Sequence, residues 1–267
     1  MHLNSLEKRK NSMSKIDGAI YEIHYMDTVA HRDQWVNRIH PLVKLLLTIL
    51  YIAVTVSFSK YDLAGVLLMG VYPAALFVLG EISFRDSIRR LRVVLPLVCF
   101  VGLFNPFFDR TPIAQVGGLV ITTGMISMVT LMIKGVYSVL ASYLLIATTP
   151  IEKICYAMRL LKIPAVVVTQ IQLSYRYVTV LLGEASRIMQ AYSLRAPGQK
   201  GVHFKVWGSL AGQLLLRSMD KANAVYESMV LRGYQGEFSY ASRKKSGAKD
   251  YLYLIVWVII FAVIKIR

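Results

Sequence analysis

Two arginines are the residues of this chain whose type and setting most clearly indicate chemistry. They lie in the segments Ser193-Leu194-Arg195-Ala196 and Leu231-Arg232-Gly233, each at the end of a stretch with helical periodicity. An arginine in the last turn complements the helix dipole, and the proline or glycine that follows stops the helix. The planar guanidinium can also bind a carboxylate through two hydrogen bonds. Two such ends within one basic segment favour a paired docking device for an acidic groove on another protein.

The sequence contains no pattern of a catalytic or nucleotide-binding site. It lacks the G-x-x-x-x-G-K-[ST] phosphate loop, so we do not expect it to bind ATP by that route. Other side chains that ligate metals do not have the spacing of a standard site: His24, His31, His40, Met125, Met128, Met132, Cys99 and Cys155. The methionines share one helix face, where pliable packing is the favoured interpretation. We therefore predict no catalytic residue, no metal site and no cofactor.

The elements that carry these residues belong to a membrane protein. The composition is 55% hydrophobic and only 17% charged, and the mean hydropathy is +0.50. Apolar runs long enough, or nearly so, to cross a bilayer occur at 42–59, 63–80, 93–108, 119–147 and 251–264. Lys134 lies inside the fourth run and is interpreted as facing a protein interior or an interface. Turn residues at 109–112 and 117–118 predict a small hairpin or re-entrant feature on one side.

Lysine and arginine counts in the loops orient the chain. Segments 1–41, 81–92 and 148–249 are basic, whereas the short loops 60–62 and 109–118 carry one such residue each. The positive-inside rule is then satisfied at every loop by five spans with a cytoplasmic N-terminus. The predicted domains are a cytoplasmic segment 1–41, spans one to four within 42–147, a cytoplasmic segment 148–249 and a fifth span within 250–267. Because 1–41 contains no apolar core of a signal peptide, we expect the first span to be retained.

A sixth span at 165–183 is the main alternative topology. It would place Arg176 near the bilayer centre, at a cost of about 2.5–3.5 kcal/mol, and would put the strongly basic segment after it outside. We therefore predict that 148–249 forms cytoplasmic amphipathic helices: a short one that starts after Pro150 and ends before Pro164, and two long ones that carry the arginine ends. The predicted fold class is an all-α integral membrane protein with about five transmembrane helices and these coupling helices between the fourth and fifth.

Several short segments, weak alone but specific in their order and spacing, carry a family resemblance. They are Ile39-His40-Pro41-Leu42-Val43-Lys44, Phe104-Asn105-Pro106, Ala147-Thr148-Thr149-Pro150, Leu161-Lys162-Ile163-Pro164 and Tyr175-Arg176-Tyr177, followed by the two arginine ends. In these the chain resembles the transmembrane (T) component of energy-coupling factor (ECF) transporters, closest to the CbiQ-type subunit of cobalt importers. The resemblance spans about Ile39 to Gly236.

The resemblance implies a non-enzymatic membrane subunit in a complex. Its partners would be two ATP-binding-cassette ATPases (CbiO- or EcfA-like), which hydrolyse the ATP, a substrate-binding membrane subunit (CbiM-like or an S component) and the lipid bilayer, with no nucleic acid. Arg195 and Arg232 would each dock into one ATPase. The family motif is often Ala-Arg-Gly, and the first end here, Leu194-Arg195-Ala196, departs from it more than the second.

Alternative functions remain open at this point. Within transport, the chain could be a T component shared by several vitamin-binding subunits instead of one dedicated to cobalt or nickel. An integral-membrane enzyme would need converging acids or histidines, but the acids of 148–249 are scattered without motif spacing. A protein that binds anionic lipid or nucleic acid would use lysine-rich clusters, and only Arg243-Lys244-Lys245 is of that kind.

Overall fold

The computed structural model describes residues 18, 20–23, 25, 27–31, 34–81, 87, 96, 100, 112–116, 119–196, 202–236 and 247–266. Their elements are α1 (Trp35–Arg38), α2 (Pro41–Ser57), α3 (Leu63–Met69), α4 (Val71–Gly80), β1 (Pro112–Val116), β2 (Leu119–Thr122), α5 (Thr123–Thr148), α6 (Ile151–Leu160), α7 (Ala165–Arg195), α8 (Phe204–Leu231) and α9 (Ala248–Ile266). The predicted α-helical class is confirmed. The chain divides into a bundle unit, Val29–Ala157 with Ser242–Arg267, and an arm unit, Met1–Thr28 with Met158–Ala241.

The core of the bundle unit forms around α2, which packs against both α5 and α9. Val43, Leu47 and Tyr51 recur at helical spacing on α2 and are fully buried. The ring of Tyr51 lies 4.7 Å from that of Tyr72 on α4 and 5.5 Å from that of Phe261 on α9, measured between centroids. These tilted aromatic contacts join three helices at one point.

The predicted second span, 63–80, is built from α3 and α4, which meet at Gly70. Gly70 keeps helical dihedral angles, with φ −60° and ψ −16°. A Cβ atom at this position would lie 2.5 Å from the hydroxyl oxygen of Tyr137 on α5. The absence of a side chain therefore allows α5 to approach this segment closely.

Polar contacts define one end of the helix bundle. The backbone N–H of His40, before α2, donates to Oδ1 of Asp250 at 3.1 Å, and that of Gly247, before α9, donates to Oδ2 at 2.9 Å. The buried ammonium of Lys44 donates to the carbonyl of Thr148, the last residue of α5, at 2.9 Å. One end of the bundle therefore holds the starts of α2 and α9 and the end of α5.

Two lysines define the opposite end of α2. Lys134 of α5 donates to the carbonyl oxygens of Val56 at 3.2 Å and Phe58 at 2.6 Å, and Lys265 of α9 donates to that of Ser57 at 2.8 Å. These carbonyls belong to the last two residues of α2 and to Phe58, which caps it, and they lack partners within the helix. Hence α2 and α9 run in one direction and α5 runs in the opposite direction. These directions are the ones expected for the first, fifth and fourth of five successive spans. Lys134 thus faces a neighbouring helix of the protein, which agrees with the first of the two predicted settings, a protein interior or an interface.

The hairpin predicted between the third and fourth spans is confirmed. β1 and β2 pair antiparallel, with Val116 opposite Leu119. The fourth apolar run nevertheless starts differently from the prediction, because helix α5 begins at Thr123 and not at Leu119. The sequence Leu119-Val120-Ile121-Thr122 is rich in β-branched residues, which favour a strand.

Three segments are long and apolar enough to cross a membrane: Leu63–Gly80, Thr123–Thr148 and Ala165–Arg195. Pro41–Ser57 is apolar but shorter, and α9 is a 19-residue helix with its charges near the two ends. The predicted third span, 93–108, lies outside the described residues except for Pro96 and Phe100, which are helical. Within the described residues, α2, the α3–α4 segment, α5 and α9 thus coincide with four of the five predicted spans.

The helices predicted between the fourth and fifth spans are present. α6 starts directly after Pro150 and ends before Pro164, and the arm unit contains the two long helices, α7 of 31 residues and α8 of 28 residues. No residue of α8 is buried. Among the described residues, the arm unit is therefore dominated by two long helices that share few fully buried side chains.

Candidate coupling site at the arginine helix ends

The C-terminus of α8 is a glycine-stopped helix end. Gly233 has a φ of +83°, and its N–H donates to the carbonyl of Val230 at 2.9 Å. The N–H of Tyr234 donates to the carbonyl of Met229 at 3.0 Å. This pair of bonds is the Schellman motif, which requires a left-handed residue at the position of Gly233. The predicted glycine stop is confirmed, and it places Arg232 as the capping residue at the tip of α8.

The C-terminus of α7 ends on the other arginine. Arg195 is the last helical residue, and the N–H of Ala196 donates to the carbonyl of Tyr192 at 3.1 Å. The hydroxyl of Ser193 donates back to the carbonyl of Gln190 at 2.8 Å. Pro197 and Gly198, predicted to stop this helix, lie outside the described residues. Both arginines are thus at helix ends, although only the α8 end has a described glycine stop.

Both helix ends present an exposed leucine beside an exposed arginine. Leu194 is 80% exposed and Leu231 is 88% exposed, and Arg195 and Arg232 are also exposed. Among the described residues, neither guanidinium forms a hydrogen bond or an ion pair. An apolar side chain next to an unpaired guanidinium suits a partly desolvated contact with a carboxylate on another protein. The role of these residues in docking stays a prediction.

An ion pair links the two long helices at a distance from their tips. Arg217 of α8 donates to the carboxylate of Glu184 on α7, and Arg187 donates to the same carboxylate at 3.2 Å. The hydrogen bond from Arg217, with the nearby charges of Arg187 and Lys221, holds the pKa of the Glu184 carboxyl below its usual range. The (i, i+3) spacing of Glu184 and Arg187 is visible in the sequence, but the partner on α8 is not.

The histidines and cysteines considered as metal ligands in the sequence have structural roles or lie outside the described residues. His40 caps α2, since its Nδ1 accepts a hydrogen bond from the N–H of Leu42 at 3.3 Å. In the part of the chain that the structure describes, no three His, Cys, Asp or Glu side chains are placed to hold a metal ion. Burial, with a smaller effect of Glu152, raises the pKa of the Cys155 thiol. His24 and Cys99 lie outside the described residues.

Comparisons with known proteins identify the family. A family model described as cobalt transport protein, CbiQ, matches residues 32–246. The chain is 27% identical to the ECF transporter transmembrane protein EcfT of Lactococcus lactis, over 76% of this chain and 82% of that protein. It is 26% identical to the nickel permease LarQ of Lactiplantibacillus plantarum, over 42% of each chain.

A third relative is the protein CbiMQ of Methanocorpusculum labreanum, whose name describes a fused cobalt transport protein. Identity there is 22% over 88% of this chain and 41% of that protein. The family match and the apolar helices together make this chain a multi-pass protein of the cell membrane. Because the family model covers most of the sequence, the chain belongs to the CbiQ family of cobalt transport proteins.

Proposed function

We propose that this chain is the transmembrane coupling subunit of an ECF importer, which transmits the ATP-driven motion of two partner ATPases to a substrate-binding membrane subunit. The observation that carries the proposal is the pair of exposed helix ends in the arm unit, each with an exposed leucine beside an exposed arginine. The names of the EcfT relatives support the same assignment. ATP hydrolysis then belongs to the partners, because the chain has no phosphate-binding loop of its own.

The long helices suit a mechanical role. At 1.5 Å per residue, α7 and α8 are about 46 and 42 Å long. In the proposed complex, each guanidinium binds carboxylates in a groove of one ATPase, and movement of the ATPases displaces the helix ends. In this proposal the arginine orients each helix end on the ATPase through hydrogen bonds, and the neighbouring leucine excludes water from the contact.

The arm unit is proposed to lie on the cytoplasmic side. α7 is long and apolar enough to span a membrane by length and composition. Its most apolar part nevertheless contains Gln170, Gln172 and the exposed Arg176, which are costly in hydrocarbon. The excess of lysine and arginine in 148–249 favours the same side for the whole segment.

Cobalt or nickel is the proposed substrate. The family description and the names CbiMQ and LarQ support a metal ion, and a T component shared among vitamin-binding subunits is the alternative. The substrate pocket is proposed to lie in the substrate-binding subunit. Identification of the membrane subunit that co-purifies with the chain would distinguish the two substrates.

Charge reversal at the helix ends tests the coupling role. We expect Arg232→Glu to reduce recovery of the ATPases with the affinity-tagged chain and to abolish uptake, with normal membrane insertion, and Arg195→Glu to act similarly. Lys205→Glu, at the opposite end of α8, is the matched control and should leave both ATPase recovery and uptake unchanged. Unchanged ATPase recovery and uptake in the Arg195→Glu, Arg232→Glu double variant would refute the proposal.

A further inference from the structure

The ion pair between Arg217 and Glu184 joins residues 33 positions apart in the sequence. The Glu184 side chain is 21% exposed and that of Arg217 is 48% exposed, so the contact is partly shielded from solvent. Glu184 also accepts from Arg187 on its own helix. The carboxylate is therefore held on α7 by one arginine while a second arginine connects it to α8.

α8 packs only shallowly within the arm unit, through a stripe of partly buried side chains that includes Val206, Leu210 and Leu214. None of its residues is fully buried. A Cβ atom added at Gly208 or Gly212 on α8, or at Gly183 next to Glu184 on α7, would meet no other atom within 4 Å. Apolar side chains on α8 are also exposed, including Leu215 and Met219, which lie on either side of Arg217. The ion pair is thus placed to influence how the two shallowly packed helices are oriented.

A long stretch of each helix lies between this contact and the arginine at the helix end. Glu184 precedes Arg195 by 11 residues and Arg217 precedes Arg232 by 15 residues, which correspond to about 16 and 22 Å of helix. A change of about 20° in the angle between the helices, within the ordinary scatter of helix crossings, would move the longer tip by about 8 Å.

We propose that Glu184 and Arg217 are positioning residues that form the pivot between α7 and α8 and set the separation of their arginine ends. This inference rests on the proposed coupling function, but it concerns the geometry of the chain alone. The pair fixes the point at which α7 and α8 meet and narrows the range of angles between them, so that the two ATPases are engaged at a defined distance. Loss of the pair frees the angle without removing either docking arginine.

Distance measurements between the arms test the pivot directly. Spin labels would be attached to Ala191→Cys on α7 and Asn223→Cys on α8, both exposed positions, in the full-length Cys99→Ala, Cys155→Ala protein in lipid nanodiscs. We expect a narrow distance distribution for the otherwise native chain and broadening by several ångström for Arg217→Gln. Arg187→Gln is the matched control, because it removes the other arginine from the same carboxylate and leaves the link between the helices.

The exchange variant Glu184→Arg, Arg217→Glu reverses the pair and should restore the narrow distribution. In the assembled transporter, Arg217→Gln should retain the ATPases but lower uptake, whereas variants of the docking arginines lose the ATPases. An Arg217→Gln distribution as narrow as the native one, or no recovery in the exchange variant, would overturn the pivot. Because the distance measurement needs no ATPase, its outcome is separate from that of the coupling function.

Discussion

At the scale of single residues, local signals were readable from the sequence and long-range contacts were not. Gly233 predicted the end of α8 because it directly follows Arg232, and the left-handed conformation at a helix end favours glycine. Lys44 gave no such signal, since its acceptor on Thr148 is 104 positions away. Glu184 was visible only as one of several scattered acids, because Arg217 approaches it through the fold of the arm unit.

The Glu184 carboxylate predicts a dependence of arm geometry on pH. Its pKa is lower in the folded chain than the ordinary 4.5, chiefly through the hydrogen bond from Arg217. The ion pair therefore contributes fully above the ordinary value, and that contribution is lost as the pH falls through the lowered pKa. The distance distribution between labels on Ala191→Cys and Asn223→Cys should stay narrow at neutral pH and broaden only in strong acid.

Glu184→Gln provides the control for this titration. The amide cannot ionise, so the distribution should already be broad at neutral pH and should not change through the acidic range. A native chain whose distribution broadened while the pH was still well above 4.5 would contradict the assignment, since the carboxylate is charged there.

At the scale of elements, apolar runs predicted which segments are helical more reliably than where the helices begin. The run that starts at Leu119 contains both strand β2 and helix α5, and apolar content alone does not separate them. The ends of α2 depend on side chains from other helices, which no local pattern reveals. Lys134, whose position inside an apolar run is unusual, is explained by the carbonyl oxygens of Val56 and Phe58.

Lys134→Met should destabilise the bundle unit by about 1–3 kcal/mol, because it leaves carbonyl groups at the end of α2 without a hydrogen-bond donor. The loss would be measured as a lower thermal unfolding midpoint of the purified chain in detergent. Lys265→Met should have a smaller effect, since its ammonium is exposed to solvent. Lys60→Met, at an exposed loop position, is the control.

An unchanged midpoint in Lys134→Met would show that water or lipid headgroups satisfy these carbonyls equally well. A lower midpoint accompanied by normal uptake would establish that the lysine stabilises the helix ends and does not conduct the substrate. Normal stability with lost uptake would contradict the structural role given to Lys134 here.

At the scale of the whole molecule, composition and loop charge predicted a membrane protein with a basic segment between its last two spans. The division into a bundle unit and an arm unit agrees with that segment only in part, because the arm unit begins at Met158 and also includes residues before Val29. Such groupings arise from contacts between distant parts of the chain. The partners themselves are not encoded in any motif of this sequence, and the resemblance to the CbiQ family supplied them.

The central claim is that the arm unit faces the cytoplasm and contacts ATPases through its two tips. The most direct test is labelling of Leu194→Cys and Leu231→Cys, each in the Cys99→Ala, Cys155→Ala chain, with a membrane-impermeant maleimide. We predict labelling in inverted membrane vesicles but not in intact cells, and protection of both cysteines when the ATPases are bound. Labelling from the outside of intact cells, or tips that remain equally reactive in the ATPase complex, would contradict the claim.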